Sequence, residues 1–205
     1  AALGRALYFW AETLGQPLVD EHYFRQTQTA ITSMYLFREG SGLLDYQTPI
    51  LGAPWTIPFE FPLYQAIVHE VWKLSGIDLT TSGRLVSLIF GIGCLGAGIL
   101  ILRLFHISIA GLAVFTLLYL ISPIYLYWNR TFMIESTALF FSLLALYFYW
   151  KALRKGSRPS RLLALQLALG GSLLLALLTK ATTTLPVLQL VAVEQARALW
   201  GRTSP

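Results

Sequence analysis

Apolar residues along the chain gather into five long runs that are separated by short polar segments. The runs cover residues 84–102, 107–128, 132–150, 162–179 and 184–199. Their lengths are close to the roughly 20 residues that a helix needs to cross a hydrocarbon core of about 30 Å. They predict five membrane-spanning helices, the last of which is interrupted by Pro186, Glu194 and Arg197. A shorter apolar stretch at residues 1–14 predicts the end of a truncated first helix.

Residues 15–83 are more polar and predict a long loop that contains two amphipathic helices. From His22 to Phe37, apolar residues recur at helical spacing opposite a polar face. A second helical pattern follows Pro62, a residue that suits the first turn of a helix. Neither segment is apolar enough to span a membrane. Both therefore predict helices that lie in the membrane interface.

The composition agrees with this pattern. The chain is 56% hydrophobic and 12% charged, and a typical soluble domain has about twice that charged fraction. The fold class predicted is an all-α integral membrane protein, a multi-pass transmembrane helix bundle in contact with membrane lipids. The net charge of +5 comes from basic residues in short loops, which is typical of topology determinants, so no nucleic-acid partner is predicted.

The charges of the loops predict the orientation. Three basic groups lie on one side if the spans alternate: Arg103 and His106; Lys151, Arg154, Lys155, Arg158 and Arg161; Arg197 and Arg202. The positive-inside rule makes that side cytoplasmic. Seven acids fall on the other side: Asp20, Glu21, Glu39, Asp45, Glu60, Glu70 and Asp78. The long first loop is therefore predicted to be extracytoplasmic, at the plasma (inner) membrane.

Three polar groups are predicted to meet at this outer side. They are Asp20, Glu21 and Arg25; Asn129, Arg130 and Glu135; and Lys180. Any one of them could be an ordinary interfacial residue whose charged end reaches the headgroups. Glu135 is harder to explain in that way because it lies about one turn inside an apolar helix. A carboxylate there needs a partner, which either Arg130 or Lys180 could provide.

Carboxylates beside cations at a membrane surface suit one kind of chemistry. A carboxylate can take the proton of an attacking hydroxyl, which typically contributes about 10²–10⁴-fold to a rate, and fixed cations stabilise a leaving phosphate. This combination predicts sugar transfer from a lipid-linked phosphate to a hydroxyl. The sequence has no zinc-spaced histidine pair, cysteine cluster, G-x-S-x-G or P-loop. No cofactor or metal ligand is predicted; a divalent metal remains compatible with the sequence, but nothing indicates one.

Five sequence features carry a resemblance to a known family. They are VDEHYFRQTQTA at 19–30, FEFPLY at 59–64, Arg84 opening a glycine-rich span, NRTFMIE at 129–135 and LLTKATTTLPVL at 177–188. In order and spacing the chain resembles the N-terminal half of the polyprenyl-phosphate-sugar-dependent glycosyltransferases of the GT-C fold. That group includes the lipid A aminoarabinose transferase and the protein O-mannosyltransferases.

The resemblance implies roles for individual residues. Asp20 would be the catalytic base with Glu21 beside it, and Glu135 stands where the family usually has a second acid. The cations expected to bind the donor phosphate are Arg25, Arg84, Arg130 and Lys180, the last matching the family's L-T-K motif. The expected partners are a polyprenyl-phosphate-linked sugar and a lipid, glycan or protein acceptor.

Two features depart from the pattern of the aminoarabinose enzymes. Their arginine lies three residues after the aspartate, whereas Arg25 lies five residues after Asp20. They also have a lysine where this chain has Phe61, so one expected phosphate contact is missing. Donor binding is therefore expected to differ in detail, with Arg25, Arg84 or Lys180 compensating.

Two other functions remain as alternatives. A multi-pass transporter or lipid flippase fragment could use Glu135, Arg130 and Lys180 as a translocation path. Transporters tend to show internal repeats and broken helices near the midplane, and no repeat is evident in this sequence. A non-catalytic membrane scaffold would explain the hydrophobicity but not the acid-rich first loop.

Overall fold

The computed structural model describes residues 2–38, 41–50, 52–55, 59–154 and 159–203, with 198–203 described by backbone alone. In this part of the chain all regular secondary structure is helical. The helices are α1 (Ala2–Leu14), α2 (Tyr23–Tyr35), α3 (Leu63–Ser75), α4 (Leu79–Leu104), α5 (Ile109–Ile121), α6 (Pro123–Trp128), α7 (Glu135–Leu153) and α8 (Pro159–Thr203). The predicted all-α membrane helix bundle is confirmed.

Three of these helices are long and apolar enough to cross a membrane: α4, α7 and, within α8, Pro159–Arg197. Helix α5 is apolar but shorter. Side-chain caps fix where α4 and α5 begin, since Asp78 Oδ1 accepts from the Thr81 N–H at 2.9 Å and Ser108 Oγ from the Gly111 N–H at 3.2 Å. These bonds satisfy donors that a helix N-terminus otherwise leaves free.

The structure divides the predicted span 107–128 into α5 and α6. Ser122 between them is extended, with φ −66° and ψ 121°, and Pro123 begins the next helix. Proline disfavours helical backbone at the residue before it and suits the first position of a helix. The sequence therefore breaks the helix at Ser122–Pro123.

The predicted spans 162–179 and 184–199 lie within α8, which departs from helical backbone at Lys180 (φ −162°, ψ 100°). Beyond Lys180 the helix runs parallel to α7. Ser142 Oγ donates to Thr184 Oγ1 at 3.3 Å, and ten residues further on Glu194 accepts from Trp150 Nε1 at 3.1 Å, so residue numbers rise together in both helices.

The first half of α8 runs the other way. Only residues 154–158 separate it from the end of α7, and five residues reach at most roughly 20 Å. It therefore starts near the C-terminal end of α7 and arrives at Lys180 beside Glu135, the first residue of α7. The chain bends back at Lys180, which places this residue at the same end of the bundle as residues 129–135.

Helix α2 turns its polar face inward. Its buried residues are Gln26, Gln28, Thr29, Ala30, Thr32 and Ser33, whereas Tyr23, Phe24 and Met34 are exposed. The polar face packs beside α3, α4 and the segment 129–134, where Tyr64, Val68 and Phe132 form a buried apolar cluster. An inward polar face and an outward apolar face fit a helix that lies at a membrane surface.

Glycines let α4 approach its neighbours. A side chain at Gly83 would collide with the ring of Phe132, and one at Gly91 would collide with Asn129. These contacts hold the segment 129–134 against α4.

Three of the residues on which the orientation prediction depends lie outside the described residues: Glu39, Lys155 and Arg158. The side of the membrane stays a prediction.

Candidate functional site

The segment between α1 and α2 meets the segment between α6 and α7 at the Asp20 carboxylate. Asp20 Oδ1 accepts a hydrogen bond from Gln26 Nε2 at 2.5 Å, and Oδ2 accepts one from Arg130 Nη1 at 2.6 Å. Arg84 Nη2 lies 3.9 Å from the same Oδ2. We call Asp20, Gln26, Arg84 and Arg130 the Asp20 cluster. It joins residues that are more than 100 positions apart in the sequence.

Gln26 connects the two segments. Its side chain is fully buried, its Nε2 also donates to the Glu21 carbonyl at 3.0 Å, and its Oε1 accepts from the Phe132 N–H at 3.0 Å. Sequence reasoning did not identify Gln26 as a site residue. The sequence feature that could have indicated a role for Gln26 is its place on the polar face of α2, six residues after Asp20.

Arg84 supports Asp20 from inside the protein. Its side chain is 0% exposed, and it donates to the carbonyls of Thr13 and Pro17, the latter at 3.2 Å. Thr13 lies in the last turn of α1, whose carbonyls have no partner within the helix. Arg84 therefore closes the end of α1 and adds positive charge behind Asp20.

Arg130 is the second cation of the Asp20 cluster. Its guanidinium carbon lies 5.5 Å from the centroid of the Phe9 ring and 5.1 Å from that of Tyr127, distances at which a cation is attracted to a ring face. Its Nε has no hydrogen-bond partner among the described residues. One edge of the guanidinium is thus held by Asp20 and its faces by two aromatic rings.

Glu135 and Lys180 form a second ion pair through Glu135 Oε1. Of the two partners that the sequence left open for Glu135, the structure selects Lys180, and Arg130 pairs with Asp20 instead. Glu135 Oε2 is buried and has no hydrogen-bond partner within the described residues. Glu135 also begins α7, where a negative charge is favoured by the helix dipole.

Arg25 pairs with Glu60 beside this second ion pair. The distance from Arg25 Nη2 to Glu60 Oε2 is 3.5 Å. Burial raises the pKa of Glu60, and the charge of Arg25 opposes that shift; the charges of Glu135 and Lys180 also act on it. Glu60 was not among the predicted site residues. The sequence feature that could have indicated a role for Glu60 is that it is the one carboxylate in the aromatic segment FEFPLY.

Two predicted participants take other positions. The Glu21 side chain is exposed, and its carbonyl accepts from Tyr127 Oη at 2.5 Å. Asn129 is buried, donates to Tyr119 Oη at 3.2 Å and accepts from Ser136 Oγ at 3.4 Å. Asn129 therefore joins α5 to α7 within the bundle.

The donor set favours anion binding. Within the described residues no three His, Cys, Asp or Glu side chains gather in a way that could hold a metal ion. Four cations with partial or complete burial lie at one end of the bundle, each beside a carboxylate: Arg25, Arg84, Arg130 and Lys180. Such an arrangement can bind a phosphate and offer a carboxylate as a base at the same place.

Comparison with known proteins identifies a family. Residues 61–205 match the family model described as dolichyl-phosphate-mannose-protein mannosyltransferase. The matched region contains Arg84, Arg130, Glu135 and Lys180, whereas Asp20 lies before it. No curated protein matches the chain, and no solved structure matches it.

Proposed function

The chain belongs to the dolichyl-phosphate-mannose-protein mannosyltransferase family. On that premise we propose that it transfers a sugar to a hydroxyl acceptor, and mannose is the sugar considered first. Membership makes it a membrane glycosyltransferase that uses a polyprenyl-phosphate sugar donor. The proposal adds a protein hydroxyl as the acceptor considered first and the extracytoplasmic face of the plasma (inner) membrane as the place of reaction.

The observation that carries the proposal is the Asp20 carboxylate held between Arg130 and Gln26 at 2.6 and 2.5 Å. Its side chain is 24% exposed, so an acceptor can reach it. In the proposed step the acceptor oxygen attacks the anomeric carbon of the donor, and the bond from that carbon to the phosphate oxygen breaks. The hydroxyl proton passes to Asp20, and the polyprenyl phosphate leaves with both bonding electrons.

The cations are proposed to share the stabilisation of the leaving phosphate. Arg25, Arg130 and Lys180 are partly exposed, so they are the candidates for direct contact. Arg84 is fully buried and is proposed to hold Asp20 in place. Positive charge fixed where negative charge develops lowers the barrier without reorganisation during the reaction.

The remaining carboxylates are proposed to have distinct roles. Glu135 is proposed to orient Lys180 through Oε1; its Oε2 is buried and has no hydrogen-bond partner among the described residues. Glu21 has an exposed side chain next to Asp20 and is proposed to contact the acceptor. The transporter or flippase alternative lacks a specific supporting contact, because the ion pairs described here lie at one end of the bundle.

The test is sugar transfer by the full-length protein. Purified wild type is mixed with a radiolabelled panel of polyprenyl-phosphate sugars and membrane extract, and compared with Asp20→Asn. The exposed Glu70 on α3 gives the matched control, Glu70→Gln. We expect Asp20→Asn to lose at least about 100-fold in transfer. Normal transfer by this variant would remove Asp20 as the base, and no turnover by folded wild type would favour transport.

The proposed side of the membrane has its own test. The described residues contain one cysteine, the buried Cys94, so labelling of wild type gives the background. Leu44 lies in the first loop and is 91% exposed, and His106 lies between α4 and α5. A maleimide that cannot cross membranes should label Leu44→Cys on intact cells and His106→Cys only after lysis. The reverse pattern would contradict the orientation.

A further inference from the structure

An apolar cavity of about 250 Å³ lies between α4, α5 and α7. Among the described residues that line it none is charged, and none belongs to the groups proposed for sugar transfer. Phe115 on α5 and Leu143 on α7 line the cavity and are partly exposed. A lipid chain can therefore reach the cavity from the bilayer between these two helices.

The cavity extends about as deep as one leaflet. Its wall on α7 is a stripe at helical spacing that runs from Trp150 through Leu146 and Leu143 to Leu139. This stripe is about 16 Å long at 1.5 Å per residue, which is about half of a hydrocarbon core of 30 Å. Trp150 marks the headgroup end, since tryptophan favours headgroup depth. The cavity thus has the depth that one acyl chain needs.

Neighbouring groups fix the Trp150 indole at the headgroup end. Phe105, directly after α4, meets it edge to face, with 4.8 Å between the ring centroids and 88° between the ring planes. The indole Nε1 donates to Glu194 of α8 at 3.1 Å. Helices α4, α7 and α8 are therefore joined at this end, and the end of the cavity has a defined position.

Two cations of α7 follow Trp150 within about one turn. Arg154 is exposed, and its Nη2 donates to the carbonyl of Leu104, the last residue of α4. Lys151 Nζ donates to Tyr147 Oη at 2.7 Å. A guanidinium has five N–H donors and an ammonium has three. Both cations therefore keep donors for a phosphate beyond these contacts.

The surroundings of the two cations are positive. The sequence has no Asp or Glu between Glu135 and Glu194. Glu194 is bonded to Trp150, and Glu135 begins α7 at the opposite end of that helix. Apolar depth combined with positive charge at the headgroup end favours a lipid with a negative headgroup over an uncharged lipid. The apolar depth also favours such a lipid over free phosphate.

We propose that this cavity binds one acyl chain of an anionic phospholipid from the leaflet at this end, with its phosphate at Lys151 and Arg154. The site is separate from the donor phosphate site, which is proposed at the other end of α7 beside Glu135. The lipid fills the space between α5 and α7 and stabilises the bundle because it binds the folded form. The inference does not depend on sugar transfer.

The first test is thermal unfolding of the purified full-length protein in a nonionic detergent. Phosphatidylglycerol and phosphatidylcholine with the same acyl chains are titrated separately, and inorganic phosphate is the headgroup control. We expect phosphatidylglycerol to raise the unfolding temperature most, phosphatidylcholine less and phosphate not at all. Leu143→Trp fills the cavity and should lose the response to both lipids. Val114→Trp, at a 56% exposed position of α5 that does not line the cavity, should keep it; equal responses in the two variants would contradict the site.

The charge of the site is tested separately. Arg154→Gln should weaken the apparent affinity for phosphatidylglycerol about fivefold, which is the effect of roughly one cation near a membrane surface, and leave that for phosphatidylcholine unchanged. The matched control is Arg103→Gln, since Arg103 is an exposed arginine at the same end that lines a different cavity, beside α1. An equal loss in the two variants would mean general attraction to a basic surface and would overturn the site.

Photocrosslinking of wild type gives a test that needs no variant. A phosphatidylglycerol with a diazirine near the end of one acyl chain should label peptides of α4, α5 and α7. Excess unlabelled phosphatidylglycerol should displace it at least about fivefold better than phosphatidylcholine does. Labelling of other helices instead, or displacement by polyprenyl phosphate as effective as that by phosphatidylglycerol, would overturn the proposal. None of these measurements involves transfer, so their failure leaves the proposed function intact, and a lack of transfer leaves this site intact.

Discussion

The Asp20 cluster and the Glu135–Lys180 pair are two carboxylate–cation sites at the same end of one helix bundle. In the Asp20 cluster each carboxylate oxygen has a partner. Gln26 binds the carbonyl of Glu21, and Arg84 binds those of Thr13 in α1 and Pro17 in the segment after it. In the Glu135–Lys180 pair one buried carboxylate oxygen has no hydrogen-bond partner in the described part of the chain. Lys180 is 31% exposed and stands where α8 leaves helical backbone.

This difference suggests that the first site holds a catalytic carboxylate in place and that the second site contacts the substrate. A buried polar atom without a partner costs free energy unless something else completes its bonding. Within the described residues both oxygens of the Asp20 carboxylate have partners, so the position of a base is fixed, although Arg84 Nε and Arg130 Nε have no partner there. Lys180 is 31% exposed, against 12% for Arg130 and 0% for Arg84, so the Glu135–Lys180 pair is the better candidate for contact with the donor. Changes to the residues that hold Asp20 should therefore affect folding more, and changes in the second site should affect donor binding more.

The largest expected effect on stability follows loss of Arg84. Arg84→Met removes a fully buried cation beside Asp20 and leaves the carbonyls of Thr13 and Pro17 without their donor. Each buried acceptor left without its donor typically costs about 1–3 kcal/mol, and two carbonyls lose their donor here. Thermal unfolding in detergent should show this loss, and Arg103→Met near the other end of α4, where the side chain is exposed, should show little. Equal stability of the two variants would contradict the role given to Arg84 in holding the Asp20 cluster together.

Loss of Lys180 should reduce transfer strongly. Lys180→Met removes a cation proposed to stabilise the leaving phosphate, and removal of one such group costs about 10²–10³-fold in rate. It also leaves Glu135 unpaired, so some stability is lost. The double variant Lys180→Met with Glu135→Gln removes both charges and should recover stability without recovering transfer. Lys73→Met on α3 is the control for losing a lysine; recovery of transfer by the double variant would contradict the role of Lys180.

Gln26 should show an intermediate effect. Gln26→Met keeps the length of the side chain but removes its bonds to Asp20, to the Glu21 carbonyl and to the Phe132 N–H. A buried group left without its partner costs about 1–3 kcal/mol. We expect a lower unfolding temperature together with slower transfer. Gln16→Met at an exposed position is the control, and unchanged unfolding of Gln26→Met would show that the two segments are held by other contacts.

The smallest expected effect concerns the pH dependence of stability. The pKa of Glu60 is raised, chiefly by burial and against the charge of Arg25, so the folded protein holds this proton more firmly than the unfolded chain does. Its contribution is fully present below the ordinary value near 4.5 and is lost as pH rises through the raised pKa. Glu60→Gln should flatten this part of the curve of unfolding temperature against pH, whereas Glu70→Gln should not. An unchanged slope in Glu60→Gln would contradict this account.

The all-α membrane helix bundle could be predicted from the sequence because its signal is local. Runs of apolar residues predicted the bundle, but 107–128 was predicted as one span, whereas the structure breaks it before Pro123. The polar face of α2 was also visible in the helical spacing, although not its burial. Each of these features depends on residues that lie within a few turns of one another.

The pairing of charges could not be predicted in the same way. Arg130 lies 110 positions from Asp20, and Lys180 lies 45 positions from Glu135. Which cation meets which acid depends on helix rotation, on the bend at Lys180 and on close approach at Gly83. Glu60 and Gln26 were missed for the same reason, since their importance comes from what packs against them.

The most direct test of this division of roles measures donor binding and sugar transfer separately in the same full-length variants. Binding of a radiolabelled polyprenyl-phosphate sugar and its transfer are compared for Asp20→Asn and Lys180→Met, both checked for folding. Asp20→Asn should bind the donor at least as tightly as wild type, because Arg130 is released from its carboxylate, yet transfer should fall at least about 100-fold. Lys180→Met should lose donor affinity. Lost binding in Asp20→Asn together with normal binding in Lys180→Met would contradict the account.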